Sequence, residues 1–245
     1  MARAATGTGI RIFGFSEHSP LFAHELDHPE PGTQMARSHW PEYLQEAAEV
    51  RDRLQRQLDI RIGTEADWIP GTQDTYRQAL EDAPLDFVLG SVHEIGPVHI
   101  YKRDTHQLVE DPNQVHRDYW RLTRQAVESG LFDILAHMDA VKARLPQPTE
   151  DMTDEIEETL DCIADLGIAV EINTAGLRKT DELFPSPEIL TGLVRRDVPL
   201  TFGSDSHRVS EVGYGWEAAL AEFERLGVSR IVAFRERQPE WVRVL

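Results

Sequence analysis

One cysteine, Cys162, stands in 245 residues, so no internal disulfide can form. Its place in a helical pattern marks it as an apolar filler in a reducing compartment. No stretch comes near the roughly 18 consecutive apolar residues of a membrane span. The opening residues, MARAATGTGIRIF, hold neither the apolar core nor the cleavage site of a secretion signal, so a cytoplasmic protein is expected. Positive charge is scarce: 25 Lys and Arg stand against 43 Asp and Glu, for a net charge of −18. A phosphate backbone needs a basic stripe, so this balance argues against nucleic acid as a partner. An anionic small molecule would need local cations, from metals or from a few arginines. No linker, low-complexity tract or charge block divides the chain, and a single domain over residues 1–245 is expected. A hydrophobic content of 40% is enough for a sizeable core in a chain of this length.

What the chain does have is rhythm. Short β-rich runs recur at 10–15, 60–66, 87–92, 133–137, 168–173, 199–204 and 230–234, with helix-like stretches at 41–58, 73–82, 113–129, 153–166, 186–196 and 216–226. Leu44, Ala47, Ala48, Val50 and Leu54 share roughly one helical face, and Thr153 and Ser186-Pro187 read as helix starts. Strands alternating with helices predict a parallel sheet, and seven such units without a composition break favour one (β/α) barrel. ATGTG (5–9) lacks the lysine of a phosphate-binding loop and precedes a strand, so it reads as a turn.

The strand ends carry the chemistry. IRIFGF runs into Ser16-Glu17-His18, IRIG into Thr64-Glu65-Ala66-Asp67, and FVLGSV into His93-Glu94. DILA runs into His137-Met138-Asp139, and PLTFGS into Asp205-Ser206-His207. If the last strand continues, Asp205 and His207 point to the same side; if it stops, Asp205 and Ser206 cap the next helix. In a barrel the carboxyl ends of the strands share one mouth, so these residues converge. Mixed histidine and carboxylate donors suit borderline divalent ions such as Zn, Mn or Fe. The remaining histidines, His24, His28, His39, His99, His106 and His116, read as solvated loop or helix-start residues, with His24 and His28 on a segment that arches over the mouth.

The ordered set FSEHSP, GTEADWIPG, LGSVHEIG, ILAHMD, EINTAGLRK and GSDSH resembles the polymerase-and-histidinol-phosphatase (PHP) superfamily, and within it the monofunctional histidinol-phosphatases, from near residue 2 to about residue 237. The resemblance implies a distorted seven-stranded (β/α) barrel with three divalent ions, hydrolysing the phosphate monoester L-histidinol phosphate in histidine biosynthesis. It also implies His18, Glu65, His93, His137, Asp205 and His207 as metal ligands. Glu65 would bridge two ions, His93 and His137 would complete one of those sites, and His18 and His207 would serve the third. Arg178 matches a phosphate-binding position, and Arg208 follows the last ligand closely. Asp205, His207 and His18 are the catalytic candidates, with Asp139 near the proton donor; Glu17, Asp67 and Glu94 form an acidic rim for the basic end of the substrate. Glu171 is either a site group or a buried, paired carboxylate. The family begins with a strand bearing a His-x-His pair, followed by a loop with another histidine; MARAATGTG instead matches the helix that follows that strand. The expectation is therefore a barrel without its first strand, a reading frame that continues upstream, and one complete ion site at Glu65, His93 and His137. Another phosphoesterase of the same superfamily and an inactive metal-binding protein are the competing readings.

Overall fold

The computed structural model describes residues 1–244. Its strands are β1 (Ile12–His18), β2 (Asp59–Asp67), β3 (Phe87–Ser91), the short β4 (Glu94–Ile95) and β5 (Val98–His99), β6 (Ile134–Leu135), β7 (Ala169–Asn173), β8 (Leu200–Gly203), β9 (Arg230–Arg235) and β10 (Gln238–Arg243). The helices are α1 (Ala2–Ala5), α2 (Trp40–Leu54), α3 (Gln73–Glu81), α4 (Pro112–Glu128), α5 (Thr153–Leu166), α6 (Gly176–Lys179), α7 (Pro187–Arg195) and α8 (Trp216–Leu226). Six strands form one wholly parallel sheet in the order β1-β2-β3-β6-β7-β8. Its middle strands are covered on both faces: β3 and β7 are buried along their whole length, β7 with Glu171 and Asn173 inside it.

The helices follow their apolar spacing and their stop signals. In α2 the buried Trp40, Ala47 and Leu54 lie seven residues apart on one face. The Asp111 side chain accepts the Asn113 N–H to start α4, with Pro112 in the first turn. Gly167, in the left-handed region at φ 68°, closes α5.

The sheet curls into a half-barrel, and side-chain size sets how tightly. The Phe87 ring lies against β1 and β2 where they carry Gly14 and Gly63; a Cβ on Gly63 would sit 2.4 Å from that ring. Phe87, Leu89, Ile134, Ala136 and Ala169 make one apolar cluster with Val232 and Phe234 of β9. The seventh run was expected to be another parallel strand. It pairs instead with β10 in a separate antiparallel hairpin. The reason is local: Glu236 and Arg237 both adopt positive φ, 51° and 64°, which is the two-residue turn that folds a strand back on itself. β9 thus makes its strand ladder with β10 and meets the sheet through the Val232 and Phe234 side chains. Arg61 fastens the hairpin: its buried guanidinium donates to Phe234 O (2.6 Å), Asp59 (3.0 and 2.8 Å) and Glu240 Oε2 (2.7 Å).

Candidate metal centre

Parallel pairing places His18, the last residue of β1, directly beside Glu65 of β2. His93 lies two residues beyond β3 and His137 two beyond β6, so four side chains meet at one end of the sheet. His18 Nε2 is 3.9 Å from Glu65 Oε2, His93 Nε2 is 3.7 Å from Oε1, and His137 Nε2 is 3.1 Å from Oε1. The Ser91 hydroxyl also donates to Oε1. Donor atoms of His18, Glu65 and His93 all lie within 4.8 Å of one another. These three donors are mutually close, whereas the expected set was Glu65, His93 and His137. His137 still reaches the same carboxylate, and its buried Nδ1 has no partner among the described residues. Burial opposes ionisation of Glu65, but the positive field of His18 and His137 outweighs it and holds the carboxyl well below its ordinary range. The same pairing raises His137 against the opposing effect of its burial.

Asp67 was expected on an acidic rim. It is buried, and its Oδ1 lies 2.5 Å from His93 Nδ1. Gln34 Nε2 donates to its other oxygen. Glu65 and Asp67 are two apart on β2 and therefore share a face; one carboxylate meets the outer nitrogen of His93 and the other the inner one. A second carboxylate behind a ligating imidazole fixes its tautomer and direction. Burial pushes the Asp67 carboxyl up, but the nearby His93 overcomes this and keeps it low.

Glu171 projects from β7 and accepts the His137 N–H (3.2 Å) and Asn173 Nδ2 (2.8 Å). Its room comes from Gly203 on the neighbouring strand, where a Cβ would lie only 1.7 Å from Oε1. Burial pushes this carboxyl up to about 7. It therefore acts here as a partner of the His137 backbone, which sits at the unusual φ of 25°.

Asp205 and His207 do not continue β8, which ends at Gly203. Asp205 turns into the left-handed region at φ 46°, so the pair meets across a turn and not along a pleat. Lys179 Nζ is 3.4 Å from Asp205 Oδ2, and its charge lowers the Asp205 carboxyl although burial works the other way. His207 is exposed; its Nδ1 lies 3.1 Å from the Asp205 carbonyl and its ring 6.5 Å from that of His18. Arg178 donates to the carbonyls of Ser204 (3.3 Å) and Asp205 (3.1 Å), so it braces the loop that carries Asp205. Arg178 and Lys179 also line an open cavity of about 610 Å³ with Arg103, His106, Ala143 and Arg144. Arg208 is not among these residues; its N–H donates to Glu211 Oε2.

Other expectations change with burial. Asp139 points away, toward the start of α7, and is occupied by Lys142 Nζ (2.9 Å) and the Ser186 N–H (2.9 Å). Glu17 and Glu94 are exposed as predicted for a rim. His24, His28 and His39 are exposed, but His116 is buried inside α4 and bonds Pro146 O, because the 3.6-residue period turns it inward. His99 stacks on His93 with ring centroids 5.7 Å apart, and burial lowers it to about 4, so it faces the site as a neutral ring. Tyr101 was not anticipated: its ring packs 5.7 Å from His93, Lys179 sits 4.2 Å above it, and its buried hydroxyl has no partner among the described residues.

A divalent ion fits this donor set. One buried carboxylate meets three imidazoles, a second carboxylate orients one of them, and a buried ring nitrogen of another is left without a partner. The comparisons agree. The PHP domain family model matches residues 1–175. A protein from Deinococcus radiodurans named "probable histidinol-phosphatase" is 34% identical, over 97% of this chain and 90% of that protein. A histidinol-phosphatase from Bacillus subtilis is 26% identical, over 89% of this chain and 90% of that protein. The crystal structure of histidinol phosphate phosphatase from Lactococcus lactis, in complex with zinc, L-histidinol and phosphate, superposes with a TM-score of 0.79 at 22% identity, over 98% of this chain and 90% of that one. With a family model matched over more than half its length and a relative of this identity along nearly all of it, the chain belongs to the PHP domain family.

Proposed function

We propose that this protein is a metal-dependent phosphomonoesterase that converts L-histidinol phosphate and water to L-histidinol and phosphate, in histidine biosynthesis in the cytoplasm. The observation that carries the reading is the meeting of His18, His93 and His137 on the single buried carboxylate of Glu65, in a chain 34% identical to a protein named "probable histidinol-phosphatase". His18, Glu65, His93 and His137 would hold the first ions, with Asp205 and His207 at the neighbouring pole of the site; the family's three-ion centre is the proposed complement. A divalent ion bound there supplies a Lewis acid and makes its coordinated water acidic enough to ionise near neutral pH. The protein's own residues do the rest. Asp67 holds His93, Glu171 holds the His137 backbone, and Lys179 and Arg178 hold the turn at Asp205. The Arg178 fork neutralises charge on the phosphoryl oxygens. His207, exposed beside Asp205, is placed to give the leaving oxygen its proton. Glu94 and Glu17 offer negative charge to the substrate's amine and imidazole.

The test is phosphate release from L-histidinol phosphate by the zinc- or manganese-supplemented protein, with nucleoside monophosphates alongside. Preferential turnover of histidinol phosphate, lost by at least about a thousandfold together with bound metal in Glu65→Ala, is the expected result. Metal-loaded protein that spares histidinol phosphate, or a Glu65→Ala variant with unchanged metal and turnover, would sink the proposal.

A further inference from the structure

The cavity beside Asp205 is unusual for a chain of net charge −18: Arg103, His106, Arg144, Arg178 and Lys179 line it and no carboxylate does. A second groove, between α4 and α5, shows the contrast. It gathers Arg117, Arg121 and Arg124 but also Asp118, Asp154, Glu155 and Glu158. Its arginines are spent on those acids and on Glu150, as in the pairs Arg117–Glu155 and Arg121–Asp118. In the cavity Arg178 is 3.9 Å from Glu211 Oε2 and Lys179 3.4 Å from Asp205 Oδ2, but neither Arg103 nor Arg144 has an ion-pair partner among the described residues. The cations come from three separate connections, 100–108 after β5, the turn after β6, and α6 after β7, all at the mouth of the half-barrel. Gathering them costs Coulomb repulsion, which an anion would relieve.

We propose that the outer part of this cavity, at Arg103 with His106 and Arg144, is a docking station for a phosphate dianion on its way to or from the metal centre. The inference rests on the phosphatase reading, because it needs a dianionic substrate or product. The overall field of an acidic protein repels a dianion, and a local positive basin reverses that field over about a Debye length, roughly 8 Å at physiological salt. Its volume, about 610 Å³, admits a small phosphate ester and not only its head. The station holds the phosphate by charge and plays no part in bond breaking. It therefore acts on KM and on inhibition by inorganic phosphate, and leaves kcat alone.

Arg103→Glu is the discriminating variant, because Arg103 is exposed and makes no side-chain hydrogen bond in the described structure, so the fold does not depend on it. Taking about 10 Å between that position and the dianion, reversing its charge should raise KM for histidinol phosphate and Ki for inorganic phosphate together. The rise is about five- to tenfold near 10 mM ionic strength, about twofold near 0.15 M, and absent at 1 M. Arg103→Lys should behave as wild type. Calorimetry with inorganic phosphate on the metal-loaded protein reads the same loss without turnover. An ester KM that rises while phosphate binding stays put would mean a contact with the rest of the substrate, and would overturn the station. So would a salt-independent effect, a fall in kcat, or no change at low salt. If the wild type fails to hydrolyse histidinol phosphate, the phosphatase reading falls, whereas a working wild type with an indifferent Arg103→Glu removes only the station.

Discussion

Asparagine at position 67 keeps the size of Asp67 and an acceptor oxygen, and removes only its charge. In the native site that charge lies 2.5 Å from His93 Nδ1, with both residues buried, so solvent screens it little. An ionised Asp67 favours the His93 tautomer with its proton on Nδ1, the one that leaves Nε2, 3.7 Å from Glu65 Oε1, free to ligate. An amide can take the same proton more weakly, and it can also turn its NH₂ toward the ring and favour the wrong tautomer. Loss of a carboxylate behind a ligating histidine typically weakens metal binding about 10- to 100-fold, or about 1.4–2.8 kcal/mol. Asp67→Asn should therefore lower zinc affinity by that factor in competition with a chromophoric chelator. Activity at limiting metal should fall in parallel and recover at saturating metal. Thermal unfolding of the metal-free protein checks that the fold survives. Unchanged zinc affinity in a folded variant would refute the orienting role of Asp67 and with it the assignment of His93 as a ligand.

Glu171→Gln addresses pH. In the native state burial raises this carboxyl to about 7, against an ordinary 4.5. The folded protein thus keeps a proton that the unfolded chain releases, so the stability it contributes is full below about 4.5 and is lost as pH rises to about 7, by up to roughly 3 kcal/mol. Denaturant unfolding of metal-free protein at pH 5 and pH 8 should show that slope in the wild type and not in Glu171→Gln; an identical slope in both refutes it. Arg178→Ala removes a charge-assisted partner of the phosphoryl group worth about 1.5–3 kcal/mol, so KM and phosphate Ki should rise about 10- to 150-fold. Because Arg178 also braces the Asp205 carbonyl, kcat should fall too, and kinetics indistinguishable from wild type would exclude both roles. Arg61→Met should loosen the β9–β10 hairpin. Its partners Asp59 and Glu240 are more than a third exposed, so about 2 kcal/mol is expected instead of the 3–5 of a fully buried pair, or roughly 4–8 °C in Tm. A Tm within 1 °C of wild type would be the contrary result.

That His18, Glu65, His93 and His137 would gather at one end of the sheet was legible from the sequence, because each stands at the end of a recognisable β-rich run and a parallel sheet brings the carboxyl ends of its strands together. The same regularity made the long helices readable: α5 and α8 fall on the predicted ranges, and α2, α3, α4 and α7 start or end within a few residues of theirs, whereas the four-residue α1 and α6 lie outside every predicted range. Asp67 was readable in principle, since i and i+2 on one strand share a face, but its burial was not. What the local pattern could not carry is partnership between distant segments. His99 and Tyr101 reach His93 through a tiny β4–β5 hairpin. Gly203 clears space for Glu171 from the adjoining strand.

The seven β-rich runs, the six longer helices, the acidic net charge and the histidine–carboxylate strand ends follow from residue order alone, because hydrophobic period and turn chemistry act over a few residues. Whether β9 joins the parallel sheet or folds back on β10, which histidine turns inward, and whether Asp205 and His207 meet along a pleat or across a left-handed turn were decided only by tertiary structure. Each of those outcomes depends on which backbone partner and which cavity a segment finds, and such partners lie tens to hundreds of residues away, as Phe234 O does from the Arg61 guanidinium that binds it.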